Sequence, residues 1–335
     1  MNKQSFTTYK KRVLAGMRAT GRLHLGNYLG GAKGMLTLQE NPEYETLYMV
    51  ADMHGITTPY KTEGLKKNKK EIILDYLAIG LDPEKSIIFE QSEINLHGEL
   101  AFYLSSVVTV NRMQDLPTYK DKVKQYPEHN TLALLNYPAL MAADILIYKA
   151  SLVPVGVDQE PHLEVAREIA RKMNNQYDMD FAEPQRFKTS GDYVPSLTGE
   201  GKMSKSVEGS FISLTDDLKT ITKKIAGAPT DSGKGDVLPK TGGVANLFKF
   251  VELFQGENRR KEYEQQYLSG GIKYGDLKND LAQAIFTELT PIQERRKQLE
   301  LKPEYVEEVL KKGATKARQI AQQTINEVKQ KMGLM

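Results

Sequence analysis

The sequence contains no cysteine, which excludes a disulfide framework, a thiolate nucleophile and a cysteine zinc site. Histidine is scarce as well: the five present are scattered and form no close pair at metal-ligand spacing, so no protein metal site is expected and any metal should arrive with a ligand. No run approaches the ~20 uncharged apolar residues that a bilayer span needs. The first residues, "MNKQSFTTYKKR", have no apolar stretch after their basic positions, so no targeting segment is expected. These absences predict a soluble, cytoplasmic protein without a membrane partner. A dominant charge is missing too, since 46 basic and 43 acidic side chains leave a formal charge of +3. That balance argues against coating nucleic acid by bulk attraction. Residues 211–335 hold 21 basic and 17 acidic side chains, so any RNA contact is expected there, through local patches. Tryptophan is absent as well, but rare residues are often missing by chance and this excludes nothing.

What is present points to an α/β protein of about two domains: 335 residues with 40% hydrophobic and 27% charged content can bury a substantial core. Four short runs, "RVLAGM" (12–17), "TLYMVADM" (46–53), "SIIFEQS" (86–92) and "SLVPVGV" (151–157), have the composition of buried strands. Helical stretches over 27–40, 64–80 and 96–108 separate them. This alternation predicts a Rossmann-like, doubly wound parallel sheet over residues 1–214, with ligands beyond the carboxyl ends of the strands. "VNRMQDLPTYKDKVKQYPEHN" (110–130) interrupts it with polar residues and two prolines, and an inserted lid or interface element is expected near 108–130. After about residue 215 every periodic segment has helical spacing, which predicts an α-helical C-terminal domain over 215–335.

Two distant stretches have phosphate-binding character. "RATGRLHLGNYLGGAKG" (18–34) follows the first strand and opens a helix. The unpaired N–H groups and positive dipole end of such a helix favour an anion. Gly21 and Gly26 allow close backbone approach, and Thr20, His24 and Asn27 can donate hydrogen bonds to phosphate or ribose. An ordinary Gly-containing strand-to-helix turn is the competing reading. "GEGKMSKSVEGS" (199–210) carries two lysines three apart between glycines; such a loop can swing its cations onto a polyphosphate, although alone it reads as a solvated turn.

Together they resemble the two signature elements of class I aminoacyl-tRNA synthetases: "HLGN" (24–27) is similar to the His-Ile-Gly-His element, and "KMSKS" (202–206) matches the second letter for letter. The resemblance implies that an amino-acid carboxylate attacks the α-phosphorus of ATP, pyrophosphate leaves, and the aminoacyl group moves to a tRNA ribose, with Mg²⁺ bound through the phosphates. It implies catalytic roles for His24, Thr20, Lys202 and Lys205. It implies ATP contacts from Arg18, Ala19, Thr20, Gly26 and Asn27, from Gly156, Val157 and Asp158, and from Val194, Lys202, Met203, Ser204, Lys205 and Ser206. Lys120 or Lys122 is expected to reach the phosphates, and the choice between them stays open.

"LNYPALMAADILIYKA" (135–150) reads as an apolar helix with one acid, Asp144. Tyr137, Met141 and Asp144 fall at i, i+4 and i+7 on one face, with Tyr148 a further turn along, and Pro138 suits a first helical turn. A carboxylate in such a wall is costly to desolvate unless something donates to it. A surface acid, or one paired with a lysine or arginine, is the alternative. This stretch and "GVDQEPH" (156–162) resemble the tryptophan-specific members of the tryptophan/tyrosine subgroup. That likeness implies that Asp144 accepts the indole N–H of L-tryptophan, Met141 walls the ring, and Tyr137 and Gln159 hold the ammonium end. His162, Glu164 and Arg167 are expected to be structural. The tyrosine-specific relatives typically carry glutamine where Met141 stands. The family also implies a homodimer and charging of tRNA(Trp), with the helical domain reading the anticodon. A tyrosine-specific enzyme, or an inactive paralogue that binds tryptophan or RNA as a regulator, are the rival readings. The family's Gly-Ile-Gln-Pro-Ser/Thr-Gly becomes "GMRATG" (16–21) here, so Arg18 puts a fixed cation where a neutral amide is usual.

Overall fold

The structure, a computed structural model, describes residues 10–188, 193–205 and 207–335. Five parallel strands form one sheet in the order β3-β2-β1-β4-β5: β1 (Lys11–Arg18), β2 (Tyr44–Ala51), β3 (Ser86–Glu90), β4 (Leu152–Val153) and β5 (Gln185–Arg186). Val13, Ala15, Tyr48 and Val50 face one hydrophobic core, while Leu14, Leu47, Met49 and Phe89 face another. Burial on both faces is what parallel strands require. The expected doubly wound fold is therefore present. The strand order turns around between β1 and β4, which opens a crevice at their carboxyl ends.

One of the strand expectations needs correction. The run at 151–157 forms ladder pairs only at Leu152 and Val153, because Pro154 has no N–H to donate. The edge strand β5 was not foreseen; "QR" carries no apolar signal.

The first βα connection runs through α1 (Leu25–Asn27), a π-turn (Tyr28–Ala32) and α2 (Lys33–Gln39) as one continuous helical stretch. Next come α3 (Thr62–Ile79), stopped by the left-handed Gly80 at φ 109°, and α4 (Leu96–Ser105). The polar excursion folds as α5 (Val110–Gln114) and α6 (Pro117–Gln125), with Pro117 in the first turn, where its missing N–H costs little. Helix α7 (Leu132–Leu146) starts earlier than expected because the Thr131 side chain accepts from Leu134 N and caps it. Pro138 accordingly lies in the helix interior and not in its first turn. The helix tolerates that defect because Leu134, Ala139, Ala142, Ala143 and Ile145 are buried in the core between α4 and α8 (Glu160–Tyr177).

Only helices follow residue 215: α9 (Leu218–Ala226), α10 (Gly242–Gln255), α11 (Glu257–Ser269), α12 (Tyr274–Glu300) and α13 (Pro303–Lys331). Helix α12 packs on α3 and α9, and α13 returns to lie along β3 and α4. The approach of α13 is close: a Cβ on Gly313 would stand 1.8 Å from the Ile88 carbonyl oxygen. Arg296 of α12 is 3% exposed and pairs with Asp75 and Glu71 of α3. Asp75 in turn accepts the Leu23 N–H at 2.8 Å, which ties the helical layer to the turn before α1.

Candidate active site

A cavity of about 700 Å³ opens at the carboxyl ends of β1 and β4. At one end the turn after β1 contributes Thr20, Gly21, His24, Gly26 and Asn27, opposite Gly156, Asp158, Lys202, Ser204 and Lys205. His24 caps α1: its ring Nδ1 accepts the Gly26 N–H at 3.0 Å, and its backbone N–H donates to Asn27 Oδ1 at 3.2 Å. With Nδ1 an acceptor, the ring proton belongs on Nε2. Burial, and then the charges of Lys205 and Lys202, push the His24 pKa down to about 4, so at neutral pH the ring is an uncharged donor.

Lys202 Nζ lies 2.7 Å from Asp158 Oδ1. Burial opposes ionisation of Asp158, but Lys202 and the Gln159 amide outweigh it and hold the carboxyl below its usual range. Lys205 stands over Gly21, where an added Cβ would meet its Nζ at 3.4 Å. No carboxylate pairs with it among the described residues, and burial lowers its pKa. The charge of Asp75 works against that shift without forming an ion pair with it.

Arg18 is open to the cavity, and its Nη2 donates to the His54 carbonyl at 3.0 Å and to Thr58 Oγ1 at 3.1 Å. Surrounding protein lowers its pKa by desolvation. Of the two candidate lysines in the excursion, Lys122 lines the cavity; burial and the charge of Arg18 lower its pKa. Lys120 faces Asp115 at 3.4 Å on the exposed side.

At the other end, Tyr137, Met141, Asp144, Gln159 and His162 line the wall together with His54. The Tyr137 hydroxyl is hydrogen-bonded to His162 Nε2. Burial raises Tyr137 to about 12 and lowers His162 to about 4. Asp144 is 1% exposed, neither a surface acid nor the partner of a lysine or arginine. His97 Nδ1 lies 2.6 Å and Gln91 Nε2 2.7 Å from its Oδ1, and His54 Nε2 lies 2.8 Å from its Oδ2. Burial raises its pKa, but the hydrogen bonds from His54 and His97 prevail and keep it below the usual carboxylate value. The premise that this acid waits for a donor from outside is thereby corrected: the chain supplies three donors of its own.

The cavity brings together most of the residues singled out in the sequence. Ala19, Val194 and Met203 are buried and outside the lining, and Val157 is 56% exposed and outside it as well. Ser206 lies outside the described residues. Sequence reasoning missed His54, Gln91 and His97. They stand 90, 53 and 47 positions from Asp144, and no local spacing links them to it.

A doubly wound sheet whose switch-point cleft carries a capped helix start and two lysines at one end and a walled pocket at the other defines a nucleotide-binding α/β enzyme. The family model described as tRNA synthetases class I (W and Y) matches residues 7–290, and the chain belongs to that family. The tryptophan–tRNA ligase of Porphyromonas gingivalis is 39% identical over 327 residues, covering 96% of this chain and 98% of that protein. The tryptophan–tRNA ligase of Fusobacterium nucleatum is 40% identical over 328 residues, covering 97% and 98%. Among solved structures, tryptophanyl-tRNA synthetase from Mycoplasma pneumoniae matches with a TM-score of 0.86 at 32% identity over 97% of this chain and 98% of that one. The Campylobacter jejuni enzyme complexed with ADP and tryptophan matches with a TM-score of 0.82 at 35% identity over 96% and 99%.

Proposed function

We propose that the protein activates L-tryptophan with ATP to tryptophanyl-adenylate and transfers the tryptophanyl group to tRNA(Trp). The observation that carries this reading is one continuous cavity joining the phosphate-binding turn and lysines to a wall with a buried, ionised acid. The tryptophan carboxylate attacks the α-phosphorus; the bond from that phosphorus to the bridging oxygen breaks and pyrophosphate departs. The nucleophile is already ionised, so activation needs no general base. The terminal ribose hydroxyl of the tRNA then attacks the activated carbonyl and AMP leaves.

In this reading Thr20, Asn27 and the α1 N–H groups hold the phosphates, and His24 donates from Nε2 without carrying a charge of its own. Lys205, which forms no ion pair among the described residues, and Lys202, once released from Asp158, neutralise the charge that grows on the departing oxygens. Each such contact is worth about 3–4 kcal/mol in the transition state. Arg18 and Lys122 flank the position of the substrate carboxylate and α-phosphate. Gly156 and Asp158 serve the ribose; a Cβ at Gly156 would meet Asp158 Oδ1 at 2.5 Å. Tyr137 and Gln159 hold the ammonium, Met141 walls the ring, and Asp144 accepts its N–H. Among the described residues no cluster of three or more His, Asp or Glu side chains can cage a metal. Mg²⁺ brought by the phosphates would supply charge neutralisation beside Lys202 and Lys205.

The family reading also assigns the helical segment from 215 onward to anticodon contact, and the protein to the cytoplasm. No helix of the described residues is long and apolar enough to cross a membrane. A homodimer is supported by the exposed apolar side chains of Phe102 (76%), Val110 (57%) and Leu132 (83%), carried by α4, α5 and α7, of which α7 packs on both others.

Amino-acid-dependent exchange of labelled pyrophosphate into ATP tests the assignment. Across a panel of twenty amino acids, tryptophan alone should support rapid exchange, and the enzyme should then charge a tRNA(Trp) transcript. Equal exchange with tyrosine, or none with tryptophan, would reject it.

A further inference from the structure

Behind the cavity wall, Asp144 belongs to a buried chain of hydrogen bonds that leads away from the substrate. His97, Gln91 and Tyr148 are each 0% exposed and lie outside the cavity lining, whereas His54 and Asp144 form part of it. His97 Nε2 is 2.8 Å from Tyr148 Oη, and its Nδ1 is 2.6 Å from Asp144 Oδ1. Phe89 packs edge-on to Tyr148 at 5.7 Å between ring centroids and stands 6.2 Å from His97, so both rings are held in place.

These contacts fix the protons. An ionised carboxylate only accepts, so His97 carries a hydrogen on Nδ1. The Tyr148 hydroxyl has His97 as its one hydrogen-bond partner among the described residues, and that contact holds the far side of the ring. Oδ1 of Asp144 therefore receives two donors, from His97 and Gln91, which occupy both of its lone pairs. Oδ2 receives one donor, from His54, and keeps one lone pair. His54 and Asp144 line the cavity and the partners of Oδ1 do not, so Oδ2 is the oxygen assigned to the cavity side.

We infer that His97, held between Asp144 and Tyr148, is a positioning residue for ring recognition: with Gln91 it locks the Asp144 carboxylate so that Oδ2 is offered to a heteroaromatic N–H. The inference rests on the proposed tryptophan specificity and deepens it. Selectivity for the ring N–H depends on groups that never touch the substrate, because a carboxylate free to rotate could satisfy itself with water and lose its aim.

The test uses the full enzyme and two substrates, tryptophan and 3-benzothienylalanine, in which sulfur replaces the ring N–H. The readout is the ratio of their kcat/KM values in pyrophosphate exchange, which a general loss of packing lowers for both substrates and leaves unchanged. His97→Asn places an amide N–H where Nδ1 stands; His97→Gln places it nearer Nε2 and removes the donor from Asp144. The expected result is that Gln lowers the ratio about ten-fold or more, while Asn restores it to within about three-fold of the wild type. Equal ratios in the two variants would overturn the inference. Asp144→Asn run in parallel separates the two levels. If it collapses the ratio while the His97 variants match each other, only the positioning role fails; if it leaves the ratio intact, the tryptophan reading of this acid fails and the inference with it. Should neither His97 variant fold, nitrogen NMR of the wild-type histidines still decides: His97 protonated on Nδ1 supports the inference, and the Nε2–H form overturns it.

Discussion

Replacing Arg296 by methionine keeps most of its volume and removes its charge from a site that cannot lose it cheaply. The guanidinium is 3% exposed, pairs with Asp75 and Glu71, donates to the Glu71 carbonyl at 3.1 Å and reaches Glu300 at 3.0 Å. Asp75 is 1% exposed, so the variant strands a carboxylate beneath the turn that presents His24. Breaking one side of a buried ion pair costs about 3–5 kcal/mol, and Glu300, more exposed, adds little to that figure. Adding Asp75→Asn to the same chain removes the stranded charge and should recover about half of the loss, a coupling that a double-mutant cycle isolates. The pH dependence has a definite sign. Burial already raises the Asp75 pKa, and Arg296 is the strongest of the groups pulling it back. Without Arg296 the folded-state pKa climbs further above the unfolded one. A carboxyl raised in this way contributes stability that is present at low pH and lost as pH rises through the folded pKa. The deficit of Arg296→Met, measured by urea unfolding, should therefore grow as pH rises above the ordinary carboxylate range. A deficit below about 1 kcal/mol, no relief from Asp75→Asn, or a deficit that shrinks with rising pH would refute this account of the network.

Lys205→Met should lower the exchange rate about 10²–10³-fold with the KM for tryptophan nearly unchanged, as expected for a charge contact made chiefly in the transition state; a matching rise in that KM would relocate the lysine to the amino-acid end. His24 and His162 are both held down to about 4 by burial first, with Lys205 and Lys202 adding to the effect at His24 and His54 at His162. Between about 4 and about 6.5 the unfolded chain then binds more protons than the folded one, so stability rises with pH across that window. Urea midpoints that stay flat over it would contradict the buried, neutral state of these rings. Gly313→Ala drives a methyl group into the Ile88 carbonyl and should cost about 3 kcal/mol or more by thermal or urea unfolding, because backbone rather than a side chain must give way; a neutral outcome would mean that α13 does not lie where it is described.

The sheet was legible where strands are buried on both faces, because β1, β2 and β3 each announce themselves as apolar runs. It was not legible at β4 and β5, where two residues apiece carry the pairing and the sequence pattern is too short to register. The end of the cavity that holds His24 was legible because its signals are local: a strand, a glycine turn with a histidine, and two lysines in one loop. The Asp144 end could be read only in part. Helical spacing put Tyr137, Met141 and Asp144 on one face, yet the groups that settle the charge of Asp144 come from the turn after β2, the end of β3 and the start of α4. Their meeting is a product of the fold's topology. The same holds for Lys122 over Lys120: sequence gives both the same chemistry, and the course of α6 decides which faces the cavity.

The central claim is that the buried acid of α7 reads the substrate ring, and the steady-state kinetics of Asp144→Asn in tryptophan-dependent pyrophosphate exchange test it most directly. The account predicts a fall in kcat/KM for tryptophan of about 10²-fold or more with the KM for ATP changed by less than about three-fold. Unchanged tryptophan kinetics would contradict it, and so would equal losses toward tryptophan and ATP.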